Sequence, residues 1–538
     1  MSRTATSARA AGAPSTARGT LLAADRVVTL GHGRKAARAL LVRGSRVVWV
    51  GDEAEQAPPH GARIDLPGCV IGPAFVDAHV HLTPMGLALT GLDLTEVRTG
   101  TELLQAVATF ADAHTGRVIW GHGFDPHGFP DDLPGPDEIA RVAAGRSVYL
   151  SQVDGHTSVV DRRTLSAAPL ARAEGVERDG AGQPTGVLRR EANHIVRRWS
   201  VGAMEESELR SARREAVHHA AALGIGSVHE MGSPDVMGLE DLDAWLEGDW
   251  PIDVVPYWAG LDIQDVLARD LRQVGGDLFL DGSLGSRTAA LLAPYADRPG
   301  SSGHLEFDDD ALTAWFLEAV HAGLQTAVHA IGDAALHQAV RCWRTVDAQL
   351  QEEGLQDAVR RGRHRLEHAE LLDIDLLDDI AELGLVIAAQ PAYEPRWGVA
   401  GGLYEARLGV ERARRTNPFR AIADRGIGLA FGSDANVTPM DPWGTVVAAQ
   451  QRRYPEHEVS RLEAVSMSSL GGRHAARQER YVGVVRAGMR ADLAVFEGDP
   501  YRADDPRGTR CVATLVHGRL AHGDLALPDA SGRTDRHH

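Results

Sequence analysis

The sequence predicts an α/β fold: a (β/α)8 barrel of the TIM type, combined with a small composite β-sandwich that the N- and C-terminal segments form together. Three observations support this prediction. The chain has 538 residues, which is too long for one compact core. Its middle alternates strand-like and helix-like stretches. Both ends carry short β-branched runs, separated by glycine and polar residues.

The two ends of the chain have similar sequence patterns. The N-terminal segment, residues 19–73, has β-branched runs such as 26–30 and 46–50. The C-terminal segment, residues 481–525, repeats this pattern, for example at 491–496. Neither segment alone buries much apolar surface, so we expect the two to pair into one β-sandwich.

The middle of the chain, residues 74–480, is expected to form the barrel. Helical stretches with apolar residues at three- and four-residue spacing separate its strand-like runs, which implies parallel strands with right-handed crossovers. We assign eight runs to the barrel and leave two as accessory strands. An open doubly wound sheet is the alternative, but no glycine-rich phosphate loop follows the first strand. The ten strand-like runs are 69–76, 118–120, 147–150, 226–228, 254–258, 278–280, 326–328, 364–366, 385–388 and 427–431.

Composition excludes several classes of protein. The formal net charge is −18, from 56 basic and 74 acidic residues, which argues against a nucleic-acid partner. No window of about 18 uninterrupted apolar residues occurs, so we expect no membrane span. The chain has only 3 cysteines and no CxxC, which favours a reducing, cytoplasmic location. The polar tails, 1–18 and 526–538, are expected to be disordered.

Potential metal ligands and acids follow several apolar runs at the point where each run ends. In a parallel barrel all strand carboxyl ends open on one face, so residues far apart in sequence can converge there. For His229 and Glu230, a structural hydrogen-bonding role and a site role are equally open. The residues at run ends are Asp77, His79, His81, His229, Glu230, Asp281, His329, His368 and Asp434.

His79 and His81 are two residues apart on an extended segment, so their side chains point to the same side. Two imidazoles at the end of a buried strand suit a divalent transition metal. His329 and His368 stand at equivalent strand ends, and we interpret them as further ligands rather than as buried structural histidines. Asp434 is either a helix N-cap or a metal ligand that acts as general base, and the histidines favour the second interpretation.

Several motifs resemble those of a known family. The segment Gly72-Pro73-Ala74-Phe75-Val76-Asp77-Ala78-His79-Val80-His81 resembles the first-strand motif of the amidohydrolase superfamily. The other motifs resemble the amidohydrolase-3 family, which includes N-substituted formamide deformylases. They run in order from about residue 20 to 525, so the resemblance covers nearly the whole chain. These motifs are Asp154-Gly155-His156-Thr157, 184–188 with Glu191, 281–289, 329–333, Glu367-His368-Ala369, Gln390-Pro391, 432–435 and 483–499.

The resemblance implies the (β/α)8 barrel and the composite β-sandwich, with zinc or a similar divalent metal on the open face of the barrel. It implies that Asp434 binds the metal and carries the proton. The implied metal ligands are His79, His81, His329 and His368. The residues implied to lie in or near the substrate pocket are His156, Glu191 and Arg287.

One position departs from the family pattern. Many relatives carry a lysine four residues before Asp281, and in the wider superfamily a strand-end lysine can be carbamylated to bridge two metals. This chain has Asp277 there. An aspartate is already anionic and needs no carbon dioxide, but it is several bonds shorter. Asp277 has three open roles: direct ligand, ligand through water, or a group that orients a neighbouring ligand. One metal is expected, and a second is left open.

The expected reaction is hydrolysis of a carbon–nitrogen bond in a non-peptide amide or formamide. A metal-activated water attacks while Asp434 accepts its proton, and Asp434 then protonates the leaving amine. A histidine of the ligand set, His329 or His368, helps to stabilise the oxyanion. Two alternatives remain: a metal-dependent isomerase or lyase on the same barrel, and an inactive binding protein. The intact ligand set argues against the inactive protein.

The substrate is expected to be a small molecule, with a neutral or aromatic amide preferred. Aromatic residues near the strand ends, including Trp397 and Tyr393, are candidates to line an apolar pocket, with core packing as the alternative. Arg287 and Arg396 are candidates to hold a carboxylate, with a surface ion pair as the alternative. Barrels of this size often dimerise, so a homodimer is left open.

Overall fold

The computed structural model describes residues 19–30, 37–126, 129, 132–152, 155, 157–234 and 236–525. The two expected disordered tails and the candidate residue His156 lie outside these described residues. Strands and helices alternate along most of the described chain, which confirms the mixed α/β class that the sequence predicts.

The strands are, in chain order, β1 (Thr20–Val27), β2 (Ala37–Arg43), β3 (Arg46–Gly51), β4 (Ala62–Pro73), β5 (Phe75–Val80), β6 (Leu92–Asp93), β7 (Val118–Phe124), β8 (Ser147–Gln152), β9 (Thr157–Val160), β10 (Val176–Arg178), β11 (Pro184–Arg189), β12 (Ile225–Gly232), β13 (Asp253–Trp258), β14 (Gln273–Phe279), β15 (Gln325–Ala330), β16 (Arg365–His368), β17 (Val386–Ala389), β18 (Gly428–Phe431), β19 (Leu493–Glu497), β20 (Cys511–Val516) and β21 (Arg519–Gly523).

The α-helices are, in chain order, α1 (Leu82–Thr90), α2 (Gly100–Ala113), α3 (Pro136–Val142), α4 (Arg162–Ala167), α5 (Arg190–Ala203), α6 (Glu206–Ala222), α7 (Leu239–Glu247), α8 (Gln264–Leu267), α9 (Asp309–His321), α10 (Asp333–Glu352), α11 (Ala358–Gly362), α12 (Leu377–Leu383), α13 (Tyr393–Trp397), α14 (Leu403–Leu408), α15 (Val410–Ala413), α16 (Phe419–Asp424), α17 (Pro442–Gln450), α18 (Arg461–Ser466) and α19 (Gly472–Ala475).

Eight parallel strands position the site, and eight of the ten predicted runs fall on them. They form two hydrogen-bonded sheets, in the orders β13-β12-β5 and β14-β15-β16-β17-β18. The edges of these sheets are neighbours, because β13 packs beside β14 and β18 beside β5. Just beyond the ends of β5 and β18, the Asp434 amide donates to the His79 carbonyl and the His81 amide to the Ala435 carbonyl, both at 2.8 Å. The closed (β/α)8 barrel stays a prediction.

The helices that follow these strands bury one apolar face each. In α10, the residues Leu336, Trp343 and Leu350 recur every seventh position and are fully buried. A spacing of seven residues is close to two helical turns, so these side chains form one stripe. The stripe packs into the main hydrophobic core, which also contains Leu366 of β16. The alternation of buried strand and one-faced helix therefore follows directly from the sequence pattern.

A further sheet stands between β5 and β12 in the chain. Its strand order is β10-β11-β9-β8-β7-β6, and it has its own apolar core that includes Leu103, Leu150 and Val187. The two remaining predicted runs, 118–120 and 147–150, lie in β7 and β8 of this sheet. They therefore correspond to the two predicted accessory strands.

The two ends of the chain share one seven-stranded sheet. Its order is β21-β20-β19-β4-β1-β2-β3, with β19 antiparallel to β4 and β1 parallel to β4. One apolar cluster joins both ends, and Leu22, Leu40, Leu493 and Leu515 are fully or nearly fully buried in it. The expected pairing of the two ends is therefore present as a sheet, while the sandwich arrangement stays a prediction.

Among the described residues, no helix combines the length and the apolar character that crossing a membrane requires.

Candidate metal centre

Strand β5 carries the two histidines of the HxH motif. All six residues of the strand are buried, because β12 pairs with one edge and β18 packs at the other. His79 has no exposed surface and His81 is 9 % exposed. Their rings are perpendicular, with centroids 5.7 Å apart. The predicted placement of both imidazoles together at the end of a buried strand is therefore observed.

The other predicted ligands arrive from neighbouring strands. Asp277 lies in β14, His329 in β15 and His368 at the end of β16. Asp434 follows β18 by three residues. A Cβ at Gly432 would lie 2.5 Å from the His79 amide nitrogen, so glycine is needed there for the end of β18 to approach β5. The carboxyl ends of these parallel strands meet at one edge, as the sequence predicts.

Asp277 lies at the centre of the cluster and faces all four histidines. Its Oδ1 atom is 3.4 Å from His79 Nε2 and 3.5 Å from His368 Nε2. The same oxygen is 3.6 Å from His329 Nδ1. Its Oδ2 atom is 3.0 Å from His81 Nε2. Although it is shorter than a carbamylated lysine, this side chain reaches each imidazole.

Asp434 completes the cluster on the side of β18. Its Oδ1 atom is 3.3 Å from His81 Nε2 and 3.7 Å from His79 Nε2. Its Oδ2 atom accepts a hydrogen bond from the Tyr393 hydroxyl. The backbone of Asp434 is left-handed, with φ of 52°, a conformation that is uncommon outside glycine and that concentrates at functional sites.

Five buried polar atoms of this cluster lack a hydrogen-bond partner among the described residues. Four of the five residues, together with His81, form two groups in which the ligand atoms lie within 4.8 Å of each other: His79, His81 and Asp434, and His79, Asp277 and His368. The fifth atom, His329 Nδ1, lies 3.6 Å from Asp277 Oδ1. Each buried polar atom without a partner costs about 1–3 kcal/mol. A divalent cation satisfies such nitrogen and carboxylate donors, so the residues fit a metal. These atoms are His79 Nε2, Asp277 Oδ1, His329 Nδ1, His368 Nε2 and Asp434 Oδ1.

The second nitrogen of each imidazole has its own acceptor. His79 Nδ1 donates to Glu367 Oε2 at 2.8 Å, and His81 Nδ1 donates to the Met231 carbonyl at 3.0 Å. His368 Nδ1 donates to Gln390 Oε1 at 2.9 Å. In His329 the second nitrogen is Nε2, which lies 3.3 Å from the Gly282 carbonyl. These acceptors fix the tautomer of each ring and direct its free nitrogen toward the cluster.

A buried ion pair holds Glu367, the hydrogen-bond acceptor of His79. Arg365 donates to both oxygens of Glu367, at 2.7 and 2.9 Å, and to the Ala78 carbonyl at 2.7 Å. Arg365 also donates to His229 Nδ1 at 2.8 Å. Burial and the neighbouring Arg365 charge hold the pKa of His229 well below its usual range, so this imidazole is neutral. His229 therefore lies within the hydrogen-bond network that orients the cluster.

Glu230, the second residue with an open role, faces the start of α1. Its Oε2 atom accepts a hydrogen bond from the Leu82 amide at 2.6 Å. Burial raises the pKa of Glu230 to about 8.

Asp281 also binds backbone amides: its carboxylate accepts hydrogen bonds from the Ala290, Ile331 and Gly332 amides at 2.8–3.0 Å.

The charges of the cluster are strongly coupled. Burial favours the neutral form of His79, but the Asp277 carboxylate outweighs it and raises the pKa of His79 to about 10. Burial opposes the charge on Asp277, yet the charge on His79 and the nearby His329 and His368 imidazoles hold the pKa of Asp277 well below its usual range. Protons therefore balance the carboxylates in the metal-free chain, and a bound cation would displace them.

The predicted substrate residues occupy different places. Glu191 is exposed at the start of α5, and its carboxylate accepts from the Glu174 amide at 2.8 Å. Arg287 forms an ion pair with Asp297 at 2.8 Å. Trp397 lies in α13, and its ring centroid is 4.5 Å from that of Tyr393. Of the described candidates, Trp397 is thus linked to the metal cluster, through Tyr393 and Asp434.

Three residues of the site have roles that the sequence prediction did not assign: Glu367, Gln390 and Tyr393. For Glu367 a signal was present, because an acid inside a fully buried strand requires a partner. Gln390 and Tyr393 follow β17, where the end of the strand faces the cluster. Their partners, His368 and Asp434, are 22 and 41 residues away, which no local pattern reveals.

Comparisons with known proteins show what this chain is similar to. "Putative amidohydrolase YtcJ" of Bacillus subtilis is 28 % identical over 508 residues, covering 86 % of this chain and 91 % of the relative. The N-substituted formamide deformylase of Arthrobacter pascens is 23 % identical over 543 residues, covering 92 % and 97 %. A crystal structure of an uncharacterized metal-dependent hydrolase from Pyrococcus furiosus superposes with a TM-score of 0.75 at 26 % identity, covering 90 % of this chain and 100 % of that one.

The sequence model of the amidohydrolase family matches residues 62–522, which spans the parallel strands, the cluster and most of the terminal sheet. The chain therefore belongs to the amidohydrolase family.

Proposed function

We propose that this protein is a metal-dependent hydrolase that cleaves a carbon–nitrogen bond in a non-peptide amide or formamide. The observation that carries the proposal is the set of five buried, unpartnered nitrogen and carboxylate atoms that face one another at the strand ends. The family membership and the names of the relatives, a formamide deformylase and a metal-dependent hydrolase, point the same way.

The proposed fold is a closed (β/α)8 barrel over residues 74–480, with a β-sandwich that residues 19–73 and 481–525 build together. The neighbouring edges β13/β14 and β18/β5 support closure of the eight parallel strands. The apolar cluster shared by both chain ends supports the sandwich. The three cysteines are buried and unpaired, which supports a cytoplasmic location.

The proposed metal ligands are the four histidines with Asp277 and Asp434. Zinc or a similar divalent ion suits this mixture of imidazoles and carboxylates. The short distances from Asp277 to all four imidazoles support a direct ligand role rather than an outer one. One metal is the proposal; the two overlapping ligand groups leave room for a second at the side of Asp277 and His368.

The bound metal would supply a Lewis acid that lowers the pKa of water and polarises the substrate carbonyl. Asp434 accepts the proton of the attacking water at Oδ1, the oxygen that has free lone pairs facing the cluster. The same oxygen then returns the proton to the leaving nitrogen. Glu367, Gln390 and the Met231 carbonyl keep the imidazoles in one tautomer throughout. In this proposal His329 or His368 helps to stabilise the oxyanion.

The proposed substrate carries a neutral or aromatic group. Trp397 packs on Tyr393, whose hydroxyl contacts Asp434, and the ring of Phe279, 42 % exposed, lies 4.4 Å from the His329 ring. Arg287 is already paired with Asp297, which weakens its candidacy as a carboxylate clamp. Glu191 stays a proposal, as does His156, which lies outside the described residues.

The test has two steps. Elemental analysis of the purified chain measures bound metal, and we expect loss of metal in His79→Ala. A panel of N-formyl and N-acyl amines is then assayed in heavy-oxygen water, where hydrolysis places the label in the carboxylic acid product. Product without label would instead indicate an isomerase or lyase. A chain that binds no divalent metal would contradict the proposal at its first step.

A further inference from the structure

We propose that Tyr393 is a positioning residue that holds Asp434 so that only one carboxylate oxygen faces the metal. This inference rests on the proposed metal centre and assigns a role to a residue outside its ligand set. The hydroxyl of Tyr393 donates to Asp434 Oδ2, while Asp434 Oδ1 faces His81 and His79 at 3.3 and 3.7 Å. The two oxygens of one carboxylate therefore have separate tasks.

The ring of Tyr393 is buried next to two other rings. It is 4 % exposed and lies parallel to the His368 ring, at an interplanar angle of 10° and a centroid distance of 6.3 Å. The Trp397 ring packs on it at 4.5 Å. A buried, closely packed aromatic ring has little freedom to rotate, so its hydroxyl stays directed at Oδ2.

A buried ion pair fixes the helix that carries Tyr393. Glu394, the next residue of α13, pairs with Arg452 at 3.0 Å, and their side chains are 4 % and 0 % exposed. Arg452 also donates to the Thr416 carbonyl at 3.2 Å. Because charge-assisted hydrogen bonds in a buried setting are short and directional, this pair fixes where Tyr393 can lie. The position of Asp434 is thus set by residues remote from the metal ligands.

The consequence concerns the coordination of the metal. A free carboxylate can bind a cation through one oxygen or through both. With Oδ2 engaged by Tyr393, Asp434 has Oδ1 alone for the cation, and one coordination position stays open for water or substrate. Catalytic metal sites need such an open position. Without the hydroxyl, Oδ2 is free to bind as well and to fill it.

The experiment uses Co²⁺ as the probe, since its visible absorption weakens as its coordination number rises. The metal-free full chain is titrated with Co²⁺ as wild type and as Tyr393→Phe. We expect weaker visible absorption per bound ion in Tyr393→Phe, because a second oxygen coordinates. Against a formamide that the wild type hydrolyses, kcat should fall by about 10- to 100-fold with KM little changed.

Tyr501→Phe is the matched control. Tyr501 is also a buried tyrosine, 6 % exposed, and its hydroxyl lacks a hydrogen-bond partner among the described residues. It packs against Trp443 and Phe496 beside the terminal sheet. Its substitution removes the same hydroxyl with no link to Asp434, so its cobalt spectrum should match that of the wild type.

Two further variants show whether Tyr393 acts through Asp434. In an Asp434→Ala background, adding Tyr393→Phe should change neither the spectrum nor the Co²⁺ affinity, because the partner carboxylate is gone. A further change in that background would overturn the proposal by indicating action through His368. Glu394→Gln keeps the hydroxyl but loosens α13, and should shift the spectrum in the same direction as Tyr393→Phe by a smaller amount.

The outcomes separate this inference from the function it rests on. A wild-type chain that binds no Co²⁺ contradicts the metal centre and the role of Tyr393 together. A wild-type chain that binds Co²⁺, with an unchanged spectrum in Tyr393→Phe, overturns the role of Tyr393 alone.

Discussion

At the scale of single residues, the proton role of Asp434 can be separated from metal binding. Asp434→Asn keeps the shape of the side chain and an oxygen for the metal, but it removes the group that accepts a proton. We expect bound metal near the wild-type amount and a fall in kcat of about 10²- to 10⁴-fold. Elemental analysis and steady-state kinetics on the same preparation measure both quantities.

The control for this change is Asp441→Asn. Asp441 caps α17 by accepting from the Gly444 amide at 2.9 Å, and asparagine can replace it there. Its rate should stay close to that of the wild type. An Asp434→Asn chain that also turned over at the wild-type rate would remove Asp434 from the mechanism.

Gln390 gives a second prediction at this scale. Its Oε1 atom accepts from His368 Nδ1 at 2.9 Å and so keeps His368 Nε2 free for a metal. Gln390→Met preserves the volume but removes the acceptor, and we expect metal affinity to fall by about 10- to 100-fold. Titration of the metal-free chain with Zn²⁺ against a competing chelator measures the affinity.

Gln338→Met is the matched control for Gln390. Gln338 is 1 % exposed, as is Gln390, and it donates to the Phe307 carbonyl at 2.8 Å within the packing of α10. Its loss should lower stability and leave metal affinity unchanged. Equal losses of affinity in both variants would show that Gln390 acts only through stability.

The candidate ligands and their convergence could be predicted from the sequence, whereas the side chains that hold them could not, for one physical reason. His79, His329, His368 and Asp434 each follow an apolar run, and parallel strands bring such ends to one edge. The contact of Tyr393 with Asp434 depends instead on how a short helix is anchored. That anchor is an ion pair between residues 58 positions apart, which a local pattern does not encode.

At the scale of elements, α10 and β16 meet at a buried histidine. The His364 ring, just before β16, stacks on Trp343 of α10 at 4.1 Å, and its Nδ1 accepts from the Thr326 amide at 3.0 Å. Burial, with a smaller contribution from the Arg477 charge, lowers the pKa of His364 to about 3. The ring is therefore neutral where the helix and the strand pack.

This histidine predicts a pH dependence of stability. The unfolded chain binds the proton of His364 below about pH 6.5, while the folded chain does not until about pH 3. The contribution of neutral His364 to stability is thus complete above pH 6.5. It is lost as the pH falls toward 3, and about 2 kcal/mol of it is lost by pH 5. In metal-free protein, His364→Phe should lose less free energy of unfolding between pH 7 and pH 5 than the wild type.

Urea unfolding at both pH values measures this difference. An equal pH dependence in His364→Phe and the wild type would contradict a neutral buried His364.

The element order also shows where sequence reasoning reaches its limit. In sequence, strands β7 and β8 have the same apolar pattern as the eight parallel strands, and helices separate them in the same way. Only the pairing distinguishes them, since β8 and β9 are antiparallel and belong to a sheet with its own core. The period of a strand is local, whereas its neighbours are decided by the packing of the whole chain.

At the scale of the whole molecule, a buried cluster of charges connects the terminal sheet to the parallel strands. Arg473 of α19 pairs at 2.8 Å both with Asp253 at the start of β13 and with Asp492 just before β19. His517, in the turn between β20 and β21, lies 2.9 Å from the same Asp253. The chain ends are thereby attached to the side of the strands opposite the metal cluster, at the start of β13.

This attachment predicts that the two parts unfold together and that Arg473 is central to their stability. Arg473→Met removes one partner from two ion pairs and leaves buried Asp492 with Arg490 alone, so we expect a loss of about 3 kcal/mol in the free energy of unfolding. The unfolding transition should stay single and move to lower urea. Arg507→Met, which breaks an exposed pair with Asp505, should leave the free energy of unfolding close to that of the wild type. The charge cluster around Arg473 lies away from the proposed metal ligands. Folded Arg473→Met should therefore bind metal with the affinity of the wild type. A weakened affinity would mean that the terminal sheet shapes the metal site itself.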